Sequence, residues 1–359
     1  MIDFFPVEYY FRIYINFCLI LVLLTVIHSH LLDMDDKRNL IYLGLTGSIL
    51  LLFSIFYIGW RPVSGKYFLD MRTYANHFEY YQDGNPIISQ KDVFFHALMM
   101  GCSKIMSVNN FFLMCAVVYI VPMFRISKKF FKEYWFYAFL IFVISFQFWP
   151  YAVNGIRNGM GTSLFLLGIS FYDKKFWMIV PMVFAVLIHQ SLLLPVMAFV
   201  ITLIYNKPKV FLAGWLFTIP VSLAVGSLFE TLFTAMGFAE DRLGAYLSGE
   251  QAAGGFRFDF LLYSASAVFT GWYFIFKRNF QDKVYYHIFN TYLTVNAFWI
   301  LIIRANFSNR FAYLSWFMIG LVIIYPFLKE RFYIYQHVVI GRVIALYFGF
   351  TYFMYTVYY

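Results

Sequence analysis

Residues 154–191 read NGIRNGMGTSLFLLGISFYDKKFWMIVPMVFAVLIHQS, two apolar runs on either side of the short basic turn Asp173-Lys174-Lys175. Two apolar runs joined by a short turn are typical of a helical hairpin in a membrane, because lipid offers the backbone no partner outside the helix. Arg157 opens the first run and His189 ends the second. The hairpin therefore predicts that Arg157 and His189 lie at one membrane face, opposite the lysines. A cation and a titratable imidazole together form a candidate site.

The composition indicates a membrane protein. Of the 359 residues, 62% are hydrophobic, 24% are aromatic and 13% are charged, whereas soluble domains carry roughly 25% charged residues. The mean hydropathy is +0.70, and several apolar runs approach the roughly 20 residues that a helix needs to cross a bilayer. The apolar and polar alternation over ~10-residue segments that marks a membrane β-barrel is absent. The sequence therefore predicts an all-α, polytopic integral membrane protein.

The apolar runs predict about 12 transmembrane helices, within a range of about 10 to 12, and one of these spans covers residues 135–153. We expect them to form a single transmembrane domain over residues 1–359. Two polar stretches interrupt them as loops on the outer side. These are residues 61–107, with a short helix at VFFHALMMG, and residues 234–259, which are rich in glycine and charge. The short run Phe176–Tyr205 lies between two basic turns and predicts either a re-entrant hairpin or a protein-lined cavity, with His189 in a recess.

The distribution of cations predicts the orientation in the membrane. Lysine-rich turns recur at residues 37–38, 125–132, 174–175, 207–209, 277–283 and 329–331, and the positive-inside rule assigns them to the cytoplasm. The cations of the other side are mostly arginines in longer loops, and the planar donor fork of arginine binds phosphate and carboxylate. The outer face is therefore predicted to bind anions. The net charge of +9 does not indicate a nucleic-acid partner, because orientation explains these short basic loops.

The three cysteines, Cys18, Cys102 and Cys115, do not have the spacing of metal ligands. Two of them lie in predicted spans, which argues against a disulfide framework. We predict no metal site and no cofactor.

Four short motifs together resemble a known family. They are LDMRTYANHFEYY at residues 69–81, NGIRN at 154–158, IHQS at 188–191 and SNRFAYLSWF at 308–317. Their order along most of the chain resembles the Wzy/EpsG group, which comprises bacterial O-antigen and exopolysaccharide polymerases. Members of this group usually have Arg-Gln in the second motif, where this chain has Arg157-Asn158.

The resemblance implies a glycosyltransferase of GT-C-like architecture in the bacterial inner membrane. Its substrate would be an undecaprenyl-pyrophosphate-linked oligosaccharide. The enzyme would transfer the growing glycan from this carrier onto the sugar end of a lipid-linked repeat unit at the periplasmic face, as in lipopolysaccharide biosynthesis. Membrane lipid is a second expected partner, and the resemblance admits a chain-length regulator protein as a third.

The residue types also fit this chemistry independently of the resemblance. Breaking a glycosyl–pyrophosphate bond requires positive charge where the leaving group develops, and preorganised arginines supply it. The candidates for binding the pyrophosphate and the rest of the substrate are Arg157, Arg304, Arg310, Arg242 and Arg72. Histidine or aspartate can accept the proton of the acceptor hydroxyl. His189 and Asp70 are the outward candidates for this catalytic base.

Each candidate also has a purely structural alternative. Anchoring at the membrane interface would account for the arginines at span ends, which are Arg157, Arg304 and Arg310. A hydrogen-bonded turn would account for His189, and a mutual ion pair would account for Asp70 and Arg72. A solvated charge cluster over residues 240–242 would account for Arg242.

The competing function is a transporter, for example a flippase for the same lipid-linked oligosaccharide. Transporters often contain two similar halves, and no repeat relates residues 1–175 to residues 176–359. A purely structural membrane protein without catalytic activity would not explain single arginines at the outer ends of spans. Ligases that attach finished polymer to a lipid core usually carry a larger late loop than residues 235–259. The sequence therefore favours a polymerase, with a flippase as the alternative.

Overall fold

The computed structural model describes residues 5–89, 91–235, 256–304 and 309–358. Every regular element in these ranges is helical, which confirms the all-α prediction. Numbered in chain order, the described α-helices are α1 (Tyr10–Leu31), α2 (Lys37–Gly59), α3 (Asp70–Gln82), α4 (Val93–Ser103), α5 (Val108–Phe131), α6 (Trp135–Val143), α7 (Phe148–Val153), α8 (Ile156–Ser170), α9 (Lys175–Ile188), α10 (Leu193–Ile204), α11 (Pro208–Ala235), α12 (Phe258–Trp272), α13 (Lys283–Leu301), α14 (Asn309–Trp316), α15 (Ile319–Lys329) and α16 (Gln336–Phe353).

Within the described residues, six helical stretches are long and apolar enough to cross a membrane. They are Val7–Leu31, Lys37–Gly59, Val108–Val143, Pro208–Val225, Arg310–Lys329 and Gln336–Tyr358. On α2, exposed Ile41, Leu45, Ile49 and Leu52 recur at helical spacing, which is the pattern of a stripe facing lipid. The polytopic membrane fold is therefore confirmed. The count of about 12 crossings and the single domain over residues 1–359 stay predictions.

The described helices form two compact units. In the first unit, Met1–Leu193 with Phe327–Tyr359, α5 packs against both α2 and α8, and α1 packs against α16. In the second unit, Leu194–Pro326, α13 packs against α11 and α14.

A buried polar cluster holds the helices of the second unit together. The amide oxygen of Asn296 accepts from Trp215 Nε1 at 2.8 Å, and its amide nitrogen donates to the hydroxyls of Ser264 and Ser315 at 3.1 and 3.0 Å. Lipid offers polar groups no partner, so hydrogen bonds of this kind link membrane helices to one another.

The hairpin predicted for residues 154–191 is present as α8 and α9. Gly168 permits a close approach of the two helices, since a Cβ there would lie 2.9 Å from the carbonyl oxygen of Met178. The turn between the helices lies beside the basic end of α5, where Lys129 Nζ is 3.8 Å from Asp173 Oδ2. At the other end, Ser191 Oγ donates to Asn158 Oδ1 at 3.0 Å. The start of α8 and the end of α9 therefore lie together, as the sequence predicts.

The run at residues 135–153 differs from the sequence interpretation, which treats it as one span. It is divided into α6 and α7 by Ile144–Gln147. Proline has no amide hydrogen and clashes with the carbonyl four residues before it, so the first turn of a helix accommodates it best. A continuous helix would place Pro150 in its interior, whereas the break places Pro150 in the first turn of α7.

The outer segment 61–107 also differs, because it contains α3 as well as the expected short helix, which is α4. The buried residues Met71, Tyr74, Phe78 and Tyr81 lie on one face of α3 at steps of three and four. This spacing is the helical period of an amphipathic helix. The segment has low overall hydropathy, so the interpretation based on hydropathy missed it.

The membrane orientation that the cations predict can be tested by chemical labelling of introduced cysteines. The native cysteines Cys18, Cys102 and Cys115 are all buried, so background labelling should be low. In Lys174→Cys, a membrane-impermeant maleimide should not label the protein in intact cells. In Asp83→Cys, which alters an exposed residue just after α3, it should. Labelling of Lys174→Cys in intact cells would reverse the orientation and move the candidate site to the cytoplasm.

Candidate functional site

Arg157 lies in the first turn of α8 and is held by two residues of the outer segment. Its Nη1 donates to Asp92 Oδ2 at 2.7 Å, and its Nε donates to the Tyr74 hydroxyl at 3.2 Å. The guanidinium carbon also lies 5.8 Å from the centre of the Tyr74 ring. The Arg157 side chain remains 29% exposed. The arginine is therefore oriented by fixed partners and still accessible, which is more than an interfacial anchor requires.

Asp92 joins Arg157 to the end of the hairpin. Its Oδ1 accepts from the backbone amide of Gln190 at 3.0 Å, while Oδ2 accepts from Arg157. Asp92 immediately precedes α4, yet its side chain does not cap that helix. Its side chain is 7% exposed, so the carboxylate is buried with a partner on each oxygen.

His189 lies between α9 and a 3-10 turn, Gln190–Leu192, as the C-cap of the first and the N-cap of the second. Its Nδ1 accepts from the amide of Ser191 at 3.2 Å and lies 2.9 Å from the Ser191 hydroxyl. A backbone amide can only donate, so Nδ1 is an acceptor and a neutral His189 carries its proton on Nε2. A histidine in this state offers Nε2–H as a hydrogen-bond donor.

Asp70 begins α3, and its backbone amide donates to Asn154 Oδ1 at 3.0 Å. Asn154 lies two residues before the start of α8, and Tyr74 lies one turn after Asp70, so the first turn of α3 is tied to the Arg157 end of α8. Among the described residues, Asp70 and Arg72 form no ion pair with each other, although the sequence analysis offered that pair as an alternative. Both side chains are exposed.

Two of the predicted pyrophosphate ligands lie in the second unit. Arg304 Nη2 donates to the carbonyl of Leu223 at 3.3 Å, two residues before the break at Val225 in α11. Arg310 is exposed in the first turn of α14. Arg242 lies outside the described residues. The convergence of these arginines with Arg157 on one ligand stays a prediction.

Arg61, one of the arginines that the sequence places on the outer side, does not contribute to the predicted anion-binding face. It is only 2% exposed. Its Nη1 donates to the carbonyl of Ile58 and its Nη2 to that of Val153 at 3.4 Å, at the last turns of α2 and α7. Its guanidinium lies 5.6 Å from the ring centres of both Phe68 and Phe112. Arg61 therefore satisfies helix C-terminal carbonyls, which favour a cation.

The sequence did not nominate as site residues four side chains that help to build this site, namely Tyr74, Asp92, Asn154 and Asn158. Asp92 stands just before an apolar helix, where the sequence is typical of a helix N-cap. Tyr74 was taken as part of a polar loop. The helical spacing of apolar residues in α3 is the signal that would have placed Tyr74 beside Asp70 on an ordered element.

Two histidines lie beside this cluster, on α3 and α4. The ring centres of His77 and His96 are 5.6 Å apart, and His96 Nδ1 lies 2.9 Å from the Tyr81 hydroxyl. Burial lowers the pKa of His77 below its ordinary 6.5, and the positive charge of Arg157 lowers it further. His77 is therefore neutral at neutral pH.

This electrostatic coupling predicts a measurable shift. In Arg157→Gln, the pKa of His77 should rise towards 6.5, because the cation that opposes its protonation is removed. Histidine NMR titration of the purified protein measures this pKa. In the control Arg38→Gln, which removes a cation paired with Asp36, the pKa of His77 should not change. An unchanged pKa in Arg157→Gln would contradict the placement of Arg157 beside α3.

Residues 45–359 match the family model described as the EpsG family. No curated protein and no solved structure matches the chain. The matched range includes α3, α4 and the whole α8–α9 hairpin, and so contains every residue of the cluster around Arg157.

Proposed function

We infer the activity from one premise, which is that this chain belongs to the EpsG family. Membership supports a polysaccharide-polymerase type of function, and the apolar helices make the protein a membrane protein. The finer proposal is an O-antigen polymerase in the bacterial inner membrane. It transfers the growing glycan from undecaprenyl pyrophosphate onto a lipid-linked repeat unit at the periplasmic face. We propose that it is a glycosyltransferase of GT-C-like architecture.

The observation that carries the proposal is the fixed, accessible guanidinium of Arg157 at the start of α8. The first amides of a helix lack intrahelical partners, and the helix dipole favours an anion there. Gly155 stands at the N-cap and has no side chain to cap these amides. An arginine on the same turn adds charged N–H donors in a planar arrangement that matches phosphate oxygens. These features together support binding of a phosphorylated ligand at this end of the hairpin.

The reaction itself needs no cofactor in this proposal, because the glycosyl donor is already activated. The bond between the sugar and the pyrophosphate breaks, and the oxygen of the acceptor hydroxyl forms the new glycosidic bond. Arg157 stabilises the negative charge that grows on the departing pyrophosphate. Arg304, Arg310 and Arg242 are proposed to complete the binding of this group, and Arg72 to bind another part of the substrate.

The acceptor hydroxyl must lose a proton during transfer. Asp70 is the preferred base, because its carboxylate is exposed on the α3 turn that Asn154 ties to α8. His189 Nε2–H is then a hydrogen-bond donor to the pyrophosphate or to a sugar hydroxyl. The undecaprenyl chain is proposed to stay in the bilayer beside the exposed apolar surfaces of the helices, because its transfer from hydrocarbon into water would be unfavourable.

A deletion strain tests the proposed function. Loss of the polymer ladder on a lipopolysaccharide gel, with a single repeat unit still attached to the lipid core, is the result expected of a polymerase. Loss of the single unit as well would contradict it and indicate a flippase or a ligase. Restoration of the ladder by the wild-type gene on a plasmid is the control for effects on neighbouring genes.

A further inference from the structure

Asp92 contacts both arms of the hairpin with the two oxygens of one carboxylate. Oδ2 binds the Arg157 guanidinium at 2.7 Å and Oδ1 binds the amide of Gln190 at 3.0 Å. We propose that Asp92 is a positioning residue, which holds Arg157 and the turn at His189 in the arrangement that binds the donor pyrophosphate. This inference rests on the proposed function, because it takes Arg157 as the group that binds the leaving group.

The backbone at Asp92 indicates that its side chain serves these distant partners. Asp92 has a φ of 49° and a ψ of 39°, in the left-handed region. Few residues other than glycine adopt this region, and aspartate is among those that tolerate it. An aspartate before a helix normally caps the helix with its side chain. Here the left-handed turn directs the carboxylate away from α4 to residues 65 and 98 positions along the chain.

The burial of the pair is asymmetric, and this decides which member a ligand reaches. The Asp92 side chain is 7% exposed, whereas that of Arg157 is 29% exposed. The carboxylate therefore lies behind the guanidinium, as a support rather than as a ligand-binding group. A buried carboxylate is stable only when charged or polar partners compensate it, and Asp92 has both.

The substitution Asp92→Asn would break this support with little change of shape. The carboxylate accepts two hydrogen bonds on two oxygens, whereas a side-chain amide has one oxygen and one donor nitrogen. If the oxygen of the introduced amide accepted from Gln190, its nitrogen would face the guanidinium donors of Arg157. If that oxygen accepted from Arg157, the nitrogen would face the Gln190 backbone amide. Either arrangement displaces one of the two groups, and a misplacement of about 1 Å can cost about 100-fold in rate.

Two other roles for the pair give different results. A pair that only stabilises the fold would leave pyrophosphate binding by the folded protein unchanged. An Asp92 that merely neutralises Arg157, and competes with the ligand, would weaken binding in the wild type. Its removal would then tighten the binding of pyrophosphate.

The test measures inorganic pyrophosphate binding by the full-length protein in lipid nanodiscs, together with polymer formation in cells. Asp92→Asn should weaken pyrophosphate binding by at least about tenfold and shorten the polymer ladder, by loss of the support for Arg157. Asp92→Glu keeps two acceptor oxygens and should retain most of the pyrophosphate binding and most of the polymer length. The control Asp259→Asn breaks another 2.7 Å pair, that of Asp259 with Arg257, and should leave both readouts unchanged.

Two further variants keep the test decisive if Asp92→Asn is poorly expressed. Gln190→Pro removes the amide hydrogen that binds Oδ1, together with the Gln190 side chain, and leaves Asp92 itself unchanged. His189 before it has the extended backbone that a following proline requires, with φ −150° and ψ 116°. This variant should weaken pyrophosphate binding while the Arg157 pair remains. When Arg157→Lys is already present, Asp92→Asn should weaken pyrophosphate binding little further, because Asp92 acts through Arg157.

The outcomes separate this inference from the proposed function. The positioning role would be overturned if folded Asp92→Asn bound pyrophosphate as well as or better than the wild type. It would also be overturned if the losses of pyrophosphate affinity caused by Asp92→Asn and Arg157→Lys multiplied in the double variant. If Arg157→Ala itself binds pyrophosphate normally and forms a full ladder, the proposed function of Arg157 fails instead. Weaker binding in Asp92→Asn with rescue by Asp92→Glu supports the inference.

Discussion

Arg157→Lys should reduce polymer yield by about 100-fold or more, and Arg157→Ala should abolish the ladder. Lysine keeps the positive charge but loses the planar fork of donors. In the structure, Arg157 uses Nη1 for Asp92 and Nε for Tyr74. A single ammonium cannot keep both supports in this geometry and also bind two phosphate oxygens. Removal of one preorganised donor from a developing oxyanion costs about 100- to 1,000-fold in rate.

The measurement is polymer length and yield at matched membrane expression. Arg257→Lys is the matched control, because Arg257 also forms a close pair with an aspartate, Asp259, at 2.7 Å. The control should make a normal ladder. Arg310→Lys should also be impaired if Arg310 binds the same pyrophosphate. Normal ladders from both Arg157→Lys and Arg310→Lys would return these arginines to the lipid interface, where lysine serves equally well.

The second large effect is expected at the catalytic base. Asp70→Asn should lower the rate of transfer by about 100- to 10,000-fold while the protein stays folded, which is the range for loss of a general base. The amide of residue 70 still donates to Asn154 in this variant, so the join between α3 and α8 is kept. The effect therefore reports the carboxylate itself.

His189 provides the contrast. Its Nδ1 accepts from the Ser191 amide, so His189→Gln should cost less than Asp70→Asn if histidine is only a donor. Asp83→Asn, at the other end of α3, is the control for a lost carboxylate and should leave the rate unchanged. If Asp70→Ala and His189→Ala both make full ladders at normal expression, neither residue is the base, and the arginines alone would carry catalysis.

The sequence by itself determined the class of fold and the outline of the site. Hydropathy and the placement of basic turns are local properties, so they predicted a membrane protein and a hairpin from residues 154–191 alone. A hairpin has two ends, and its turn contains the lysines. The meeting of the Arg157 and His189 ends followed from that topology, and the hydrogen bond between Ser191 and Asn158 bears it out.

Average hydropathy was a less reliable guide to where individual helices begin and end. The helix α3 was missed because its polar residues lower the average, although Met71, Tyr74 and Phe78 show the helical period. The predicted span at residues 135–153 was wrong as one helix, since hydropathy alone does not register the missing amide of Pro150.

Only the tertiary structure decided which charged side chains are buried against other protein groups and which are accessible to a ligand. Asp92 and Arg61 look like an N-cap and a surface cation in the sequence. Packing instead buries Asp92 behind Arg157, and it places Arg61 between the carbonyls of Ile58 and Val153. Their partners lie as many as 98 positions away along the chain. The free energy of a buried charge depends on what surrounds it in space, and that environment exists only after the helices have packed.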